Sequence, residues 1–137
     1  MIEDVVITPL DIISTPGGNV LHAMKRVDDG YCGFGEAYFS EVGFNEIKAW
    51  KRHKEMTLNL IVPVGKIKFV LVDNNSINEF TLSRDNYYRL TIPPMVWVGF
   101  KGLSESGSML LNIANIKHDP LEIDRKNIHE IVFDWNN

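Results

Sequence analysis

The chain has 137 residues, 45% of them apolar, enough for one domain of ordinary size that builds its own core without metal or disulfide support. Its formal charge of -4 gives no general attraction to polyphosphates, so nucleic acid is not an expected partner, and a single cysteine, Cys32, excludes an internal disulfide framework. No apolar run is long enough for a helical membrane span, and the acidic start MIEDVVITPLDII does not read as an export signal, so a reducing cytoplasm is the expected location.

Short runs of Val, Ile, Phe and Tyr alternate with polar residues and are punctuated by Gly, Pro, Asn and Asp. The pattern predicts strands at 4–8, 18–26, 33–40, 47–53, 57–64, 65–72, 79–83, 87–92, 97–103, 108–116 and 130–133, with helical turns only near 127–129. So many short strands in a single domain, 1–137, make the fold class all-β, a sandwich or jelly roll. Pro63-Val64-Gly65 reads as a hairpin between LNLIV and KIKFVLV, and Pro93-Pro94 should end the strand before them, because proline cannot donate to a ladder.

The densest reactive cluster is IKAWKRHKEMT, from Ile47 to Thr57. Strand alternation puts Ala49, Lys51 and His53 on one face and Lys48, Trp50, Arg52 and Lys54 on the other. If the first face lines a barrel interior, His53 serves as general base near neutral pH and Lys51 as acid or electrostatic stabiliser. The plain alternative is a surface strand whose cations face water, and the same holds for Lys25 and Arg26.

This segment, followed by LNLIVPVGKIKFVLVD and LSRDNYYRLTIPPMVWVGFKGLSE, resembles the dTDP-4-dehydrorhamnose 3,5-epimerase family of RmlC-like cupins. The shared skeleton comprises Gly65, Asp73, Leu82-Ser83, Asn86, Leu90, Ile92-Pro93, Gly99-Phe100, Leu103-Ser104 and a closing Asp134-Trp135. The segment is also similar to the dTDP-sugar 3,4-ketoisomerases, whose corresponding strand carries two histidines separated by one residue before a lysine. Here that place reads Lys51-Arg52-His53-Lys54. The resemblance implies an RmlC-like cupin jelly-roll barrel acting on a nucleotide-linked sugar, with neither cofactor nor metal.

Departures from the family pattern are also legible. Lys51 stands where the epimerases keep a histidine base, Leu111 where they keep a tyrosine acid, and Leu58 and Val98 where they keep a lysine and a further histidine. One imidazole does not make the three- or four-ligand site of a metal-binding cupin. By the same resemblance Lys48 occupies the place of a phosphate-contacting arginine, Glu36 that of a polar nucleotide contact and Ser40 that of a family serine, while Arg26 and Arg89 are further anion-binding candidates. Trp97 is a candidate for stacking on a base, and Tyr38, Tyr87 or Tyr88 for the missing phenolic acid. His118-Asp119-Pro120 reads as a turn begun by Asp119, not as an oriented imidazole.

The function expected from the resemblance is an epimerase or isomerase of dTDP-4-keto-6-deoxyhexoses in surface polysaccharide synthesis, working by acid/base proton transfer beside the keto group. A 3,4-ketoisomerase is the rival within enzymes, and a non-catalytic cupin that binds a sugar nucleotide or carbohydrate is the rival outside them. The family resemblance also implies a homodimer that exchanges the N-terminal VVITPLDII segment.

Overall fold

A computed structural model describes residues 1–74 and 76–136. Its strands are β1 (Val6–Pro9), β2 (Ile12–Ile13), β3 (Val20–Leu21), β4 (Glu36–Val42), β5 (Ile47–His53), β6 (Leu58–Val64), β7 (Lys66–Val72), β8 (Ile77–Ser83), β9 (Tyr88–Ile92), β10 (Trp97–Gly102), β11 (Ser108–Ala114) and β12 (Ile123–Arg125). Two five-stranded antiparallel sheets, ordered β1-β9-β6-β11-β4 and β12-β5-β10-β7-β8, face each other, and β2 and β3 form a separate small ribbon. This is the expected all-β cupin jelly roll.

Several local expectations change. The segment 18–26 forms a strand only at Val20–Leu21, because the chain from His22 to Gly30 instead wraps the outer face of the first sheet. Pro63-Val64-Gly65 is not a hairpin: β6 and β7 lie in different sheets, so the turn is a corner between them. Gly65 has a φ of +79° there, and a Cβ would come within 2.3 Å of the Ser108 hydroxyl, which is why no side chain fits that corner. No strand forms at 130–133; a 3-10 turn, Ile128–Glu130, capped by Asn127, precedes an irregular tail. Asp119 does begin a turn, accepting from the Leu121 amide at the head of the 3-10 segment Pro120–Glu122.

Two apolar clusters result. The larger fills the space between the sheets with Leu60, Val62, Ile67, Phe69, Leu71, Leu90 and Ile92, all nearly or fully buried. The smaller lies on the outer face of the second sheet, where Trp50, Val70 and Trp97 are covered by Ile128, Ile131, Phe133 and Trp135 from the C-terminal segment. Trp135 sits 5.4 Å from Trp50 and edge-on to Phe133 at 4.8 Å, ring geometries that contribute beyond area alone. The C-terminal segment is thus tied to β5 twice, by β12 along its edge and by aromatic packing on its back.

Candidate active site

Between the sheets a cavity of about 470 Å³ opens, lined from the first sheet by Tyr38, Ser40, Leu58, Leu60, Leu110 and Asn112 and from the second by Lys48, Lys51, His53, Val98, Phe100 and Arg125. That volume suits a small ligand. Simple alternation does not explain how Lys48 reaches it together with Lys51. The register of β5 against β10 supplies the reason: Lys51 pairs with Val98 and Lys48 with Phe100, so Ala49 and Trp50 together oppose Gly99 in a bulge. Val98 and Phe100 share the inner face of β10, so their partners do too. The bulge corrects the expected face assignment: Lys48 joins Lys51 and His53 inside, and the Trp50 indole turns outward to donate to the Ile128 carbonyl at 3.2 Å.

His53 is buried, and its Nδ1 lies 2.5 Å from Glu122 Oε2. The other Glu122 oxygen accepts the backbone amides of Glu55 and Met56 at 3.0 and 2.9 Å. Burial alone would push the Glu122 carboxyl up, but these two amides and His53 hold it below the usual carboxylate range, so it is ionised near neutrality. An ionised acceptor fixes the tautomer with the proton on Nδ1 and the lone pair on Nε2. Burial, opposed by Glu122, sets the imidazole below the ordinary histidine value, which keeps it neutral and able to accept a proton.

Lys51 is half-buried, and its pKa is lowered first by burial, then by Arg125 and Lys48 beside it, with Glu122 opposing. An amine shifted this way gives up its proton more readily than an exposed lysine. On the facing wall the Tyr38 phenol oxygen accepts from Asn112 Nδ2 at 3.0 Å, and Asn112 is itself fixed because its Oδ1 accepts the Asn59 amide at 3.0 Å. Taking a hydrogen bond at oxygen leaves the Tyr38 proton available to donate into the cavity.

The remaining predicted residues divide clearly. Ser40 lines the cavity beside Tyr38, and Lys48 lines it while donating to the Glu41 carbonyl at 2.6 Å. Glu36 follows on the same face of β4, beyond the lining residues, with one carboxylate oxygen buried and without a hydrogen-bond partner among the described residues. Arg26 is exposed and outside the cavity. Arg89 is fully buried on the far face of the first sheet, where it donates to the Ala23 and Asp29 carbonyls and pairs with Asp28 at 3.1 Å, so it anchors the wrapping segment and does not reach the cavity. Trp97 belongs to the outer cluster, with the Arg52 guanidinium 4.7 Å and the Lys126 ammonium 4.8 Å from its ring, and its side chain is not a cavity wall. Leu111 likewise points away, because Leu110 and Asn112 hold the inward positions of β11. Sequence reasoning missed Glu122, 69 residues from His53, and Arg125; both lie in a short polar stretch with no strand pattern.

The pattern of the family described as FdtA, WxcM-like, C-terminal matches residues 37–130, about two thirds of the chain. The chain belongs to the FdtA-type, WxcM-like family. A dTDP sugar isomerase from Desulfovibrio desulfuricans G20 is 38% identical to this FdtA-type chain and superposes with a TM-score of 0.93, covering 98% of this chain and 92% of that one. A probable low-salt glycan biosynthesis epimerase of Haloferax volcanii is 25% identical over 98% of this chain and 95% of its own length. The sugar 3,4-ketoisomerase QdtA from Thermoanaerobacterium thermosaccharolyticum, solved in complex with TDP, shares the fold, with a TM-score of 0.80, 21% identity and coverage of 92% and 90%.

Proposed function

We propose that this FdtA-type protein is an isomerase of dTDP-4-keto-6-deoxyhexoses that moves a proton beside the keto group without a cofactor, in the synthesis of surface glycans. The observation that carries this reading is the His53–Glu122 pair, a neutral imidazole whose Nε2 has no hydrogen-bond partner among the described residues, on a cavity wall that also presents an amine. The 4-keto group acidifies the C3 hydrogen, His53 Nε2 removes it, and Lys51 stabilises the oxygen on which the negative charge collects. Lys48, Ser40 and Glu36 hold the nucleotide end. A protein that only bound the sugar would have no use for a base oriented by a buried carboxylate.

The step that returns the proton decides the product. If the O3 hydroxyl proton passes to O4 by way of Lys51, delivery by the protonated His53 to C4 gives a 3-keto sugar, the outcome favoured by the similarity to the Desulfovibrio dTDP sugar isomerase. Delivery from Tyr38, on the opposite wall, inverts the carbon, the outcome favoured by the placement of its phenol and by the Haloferax epimerase. Incubation with dTDP-4-keto-6-deoxyglucose in deuterated water separates them: a 3-keto product marks the ketoisomerase, and deuterium at C3 or C5 with the 4-keto group retained marks the epimerase. His53→Asn should lower the rate of turnover by about 10²–10⁴-fold, the usual worth of a general base; the absence of both a 3-keto product and ring-carbon exchange in the unaltered protein would refute the isomerase.

The working unit in this reading is a cytoplasmic homodimer. The exposed, free Cys32 fits a reducing compartment. Strand β1 lies at the edge of its sheet, paired to β9 from Val6↔Thr91 to Pro9↔Tyr88, and exchange with a second copy keeps the same register. Light scattering at twice the chain mass supports the dimer, and a monomer rejects it.

A further inference from the structure

The lysines around β5 mostly have partners. Lys48 donates to the Glu41 carbonyl, Lys54 lies 4.0 Å from Asp124, Lys101 donates to the Trp135 carbonyl and Lys126 lies over the Trp97 ring. Lys51 has no such engagement. Its side chain enters the space between the sheets because the residue pairs with Val98 of β10 on one side and Arg125 of β12 on the other. Half-buried there, the amine makes neither a hydrogen bond nor an ion pair among the described residues.

The charges that face it are mostly of its own sign. Arg125 stands beside it on β12 and Lys48 three residues back on β5, while the lining contributed by β10 and the first sheet is uncharged. Burial keeps His53 neutral, and Glu122, the carboxylate that opposes the cations, is engaged with His53 and two backbone amides. A further positive charge at this place is disfavoured first by burial and then by two like charges, so the nitrogen keeps more of its neutral form than an exposed lysine does. Protonated, it serves the enolate oxygen. Neutral, it is a nucleophile inside a cavity sized for a small ligand.

We propose that Lys51 is a carbonyl-capture site, whose neutral amine condenses reversibly with small aldehydes and ketones that enter the cavity and holds them as imines outside the proton-transfer cycle. The nitrogen lone pair bonds to the carbonyl carbon, the C=O π pair moves to oxygen, and one amine proton follows it, giving a carbinolamine. Departure of that oxygen as water, with the second amine proton, leaves a C=N bond, and addition of water reverses the step. An amine that is desolvated or set beside another cation is the arrangement that supports this chemistry at neutral pH. Capture needs only the amine and the cavity, so it stands apart from the isomerase reading.

Butyraldehyde with sodium cyanoborohydride, applied to the intact protein at neutral pH, converts any imine to a stable secondary amine that peptide mapping by mass spectrometry locates. Lys51 should be alkylated before the exposed Lys54, Lys66 and Lys117. Lys51→Arg, which keeps the charge and forms no imine, should lose the early adduct completely. Arg125→Met should slow capture by about 2–10-fold, because Lys51 returns toward its protonated form. Butyraldehyde is uncharged, so that slowing is not a lost attraction for the ligand. Alkylation of the exposed lysines first, an early adduct that survives Lys51→Arg, or an unchanged rate in Arg125→Met overturns the assignment. Capture at Lys51 in a protein that gives neither a 3-keto product nor ring-carbon exchange leaves the site standing and rejects only the isomerase; turnover without capture rejects only the capture site.

Discussion

The Glu122 carboxylate aims one oxygen at the His53 imidazole and the other at two amides of the loop that follows β5, so a single side chain sets both the tautomer of the proposed base and the path of the chain beyond it. Glu122→Gln removes the charge that supports the imidazolium formed in turnover, and kcat should fall by about 10–100-fold, the equivalent of one strong charged hydrogen bond. Because Glu122 raises the His53 pKa against burial, its loss lets burial act alone. The acid limb of the kcat/KM profile, which lies below the ordinary histidine value in the unaltered protein, should move lower still; a limb that moves upward contradicts the assigned pair. His53 and Lys51 were legible as candidates because their residue types and spacing fall within one strand. Glu122 was not, because nothing local distinguishes a carboxylate 69 residues away that is brought in by strand pairing.

The bulge in β5 decides which cations share the cavity. Gly99 makes it possible: a Cβ there would come within 2.8 Å of the Ala49 Cβ and 2.9 Å of the Trp50 ring. Gly99→Ala should therefore cost about 1–3 kcal/mol by overpacking, read as a lower Tm, and should weaken dTDP binding as Lys48 is displaced. Unchanged binding would show that the bulge does not position Lys48. The segment that wraps the first sheet depends in the same way on Arg89, whose removal leaves the Ala23 and Asp29 carbonyls without their donor and a void beneath them. Arg89→Ala should destabilise by about 2–5 kcal/mol while the folded fraction keeps its KM, and a raised KM would return Arg89 to the binding site. The long strands β5 to β11 were readable from alternation between β-branched and polar residues. The bulge was not, since it appears only when β5 is set against β10, and β12 escaped because IDR has too few residues to show a period. Arg89 was misjudged for a related reason: an arginine on a strand gives no sign, within its own sequence, of a loop folding over it.

At the scale of the whole molecule, His53 and Glu122 both titrate lower in the folded chain than in the unfolded one. A depressed pKa means that the unfolded state binds more protons, so each group contributes stability above its unfolded value and loses it as pH falls through its folded value. The melting temperature should accordingly decline from near pH 6.5 downward, first with His53 and then with Glu122, and Glu122→Gln should flatten the more acidic part of that decline. A Tm that rises on acidification over this range would contradict both assignments. The fold class was legible at this scale from the number and brevity of the strands, whereas the corner at Gly65 required knowing that β6 and β7 part into separate sheets. The C-terminal segment that lies against β5 brings the carboxylate partner of His53, the Arg125 guanidinium of the cavity lining and the aromatic cover of the outer cluster, all after the two main sheets have received every other strand. A chain cut before Pro120 would therefore keep the whole first sheet and four strands of the second while losing the carboxylate that orients the imidazole, so folding and reactivity are separable along the sequence.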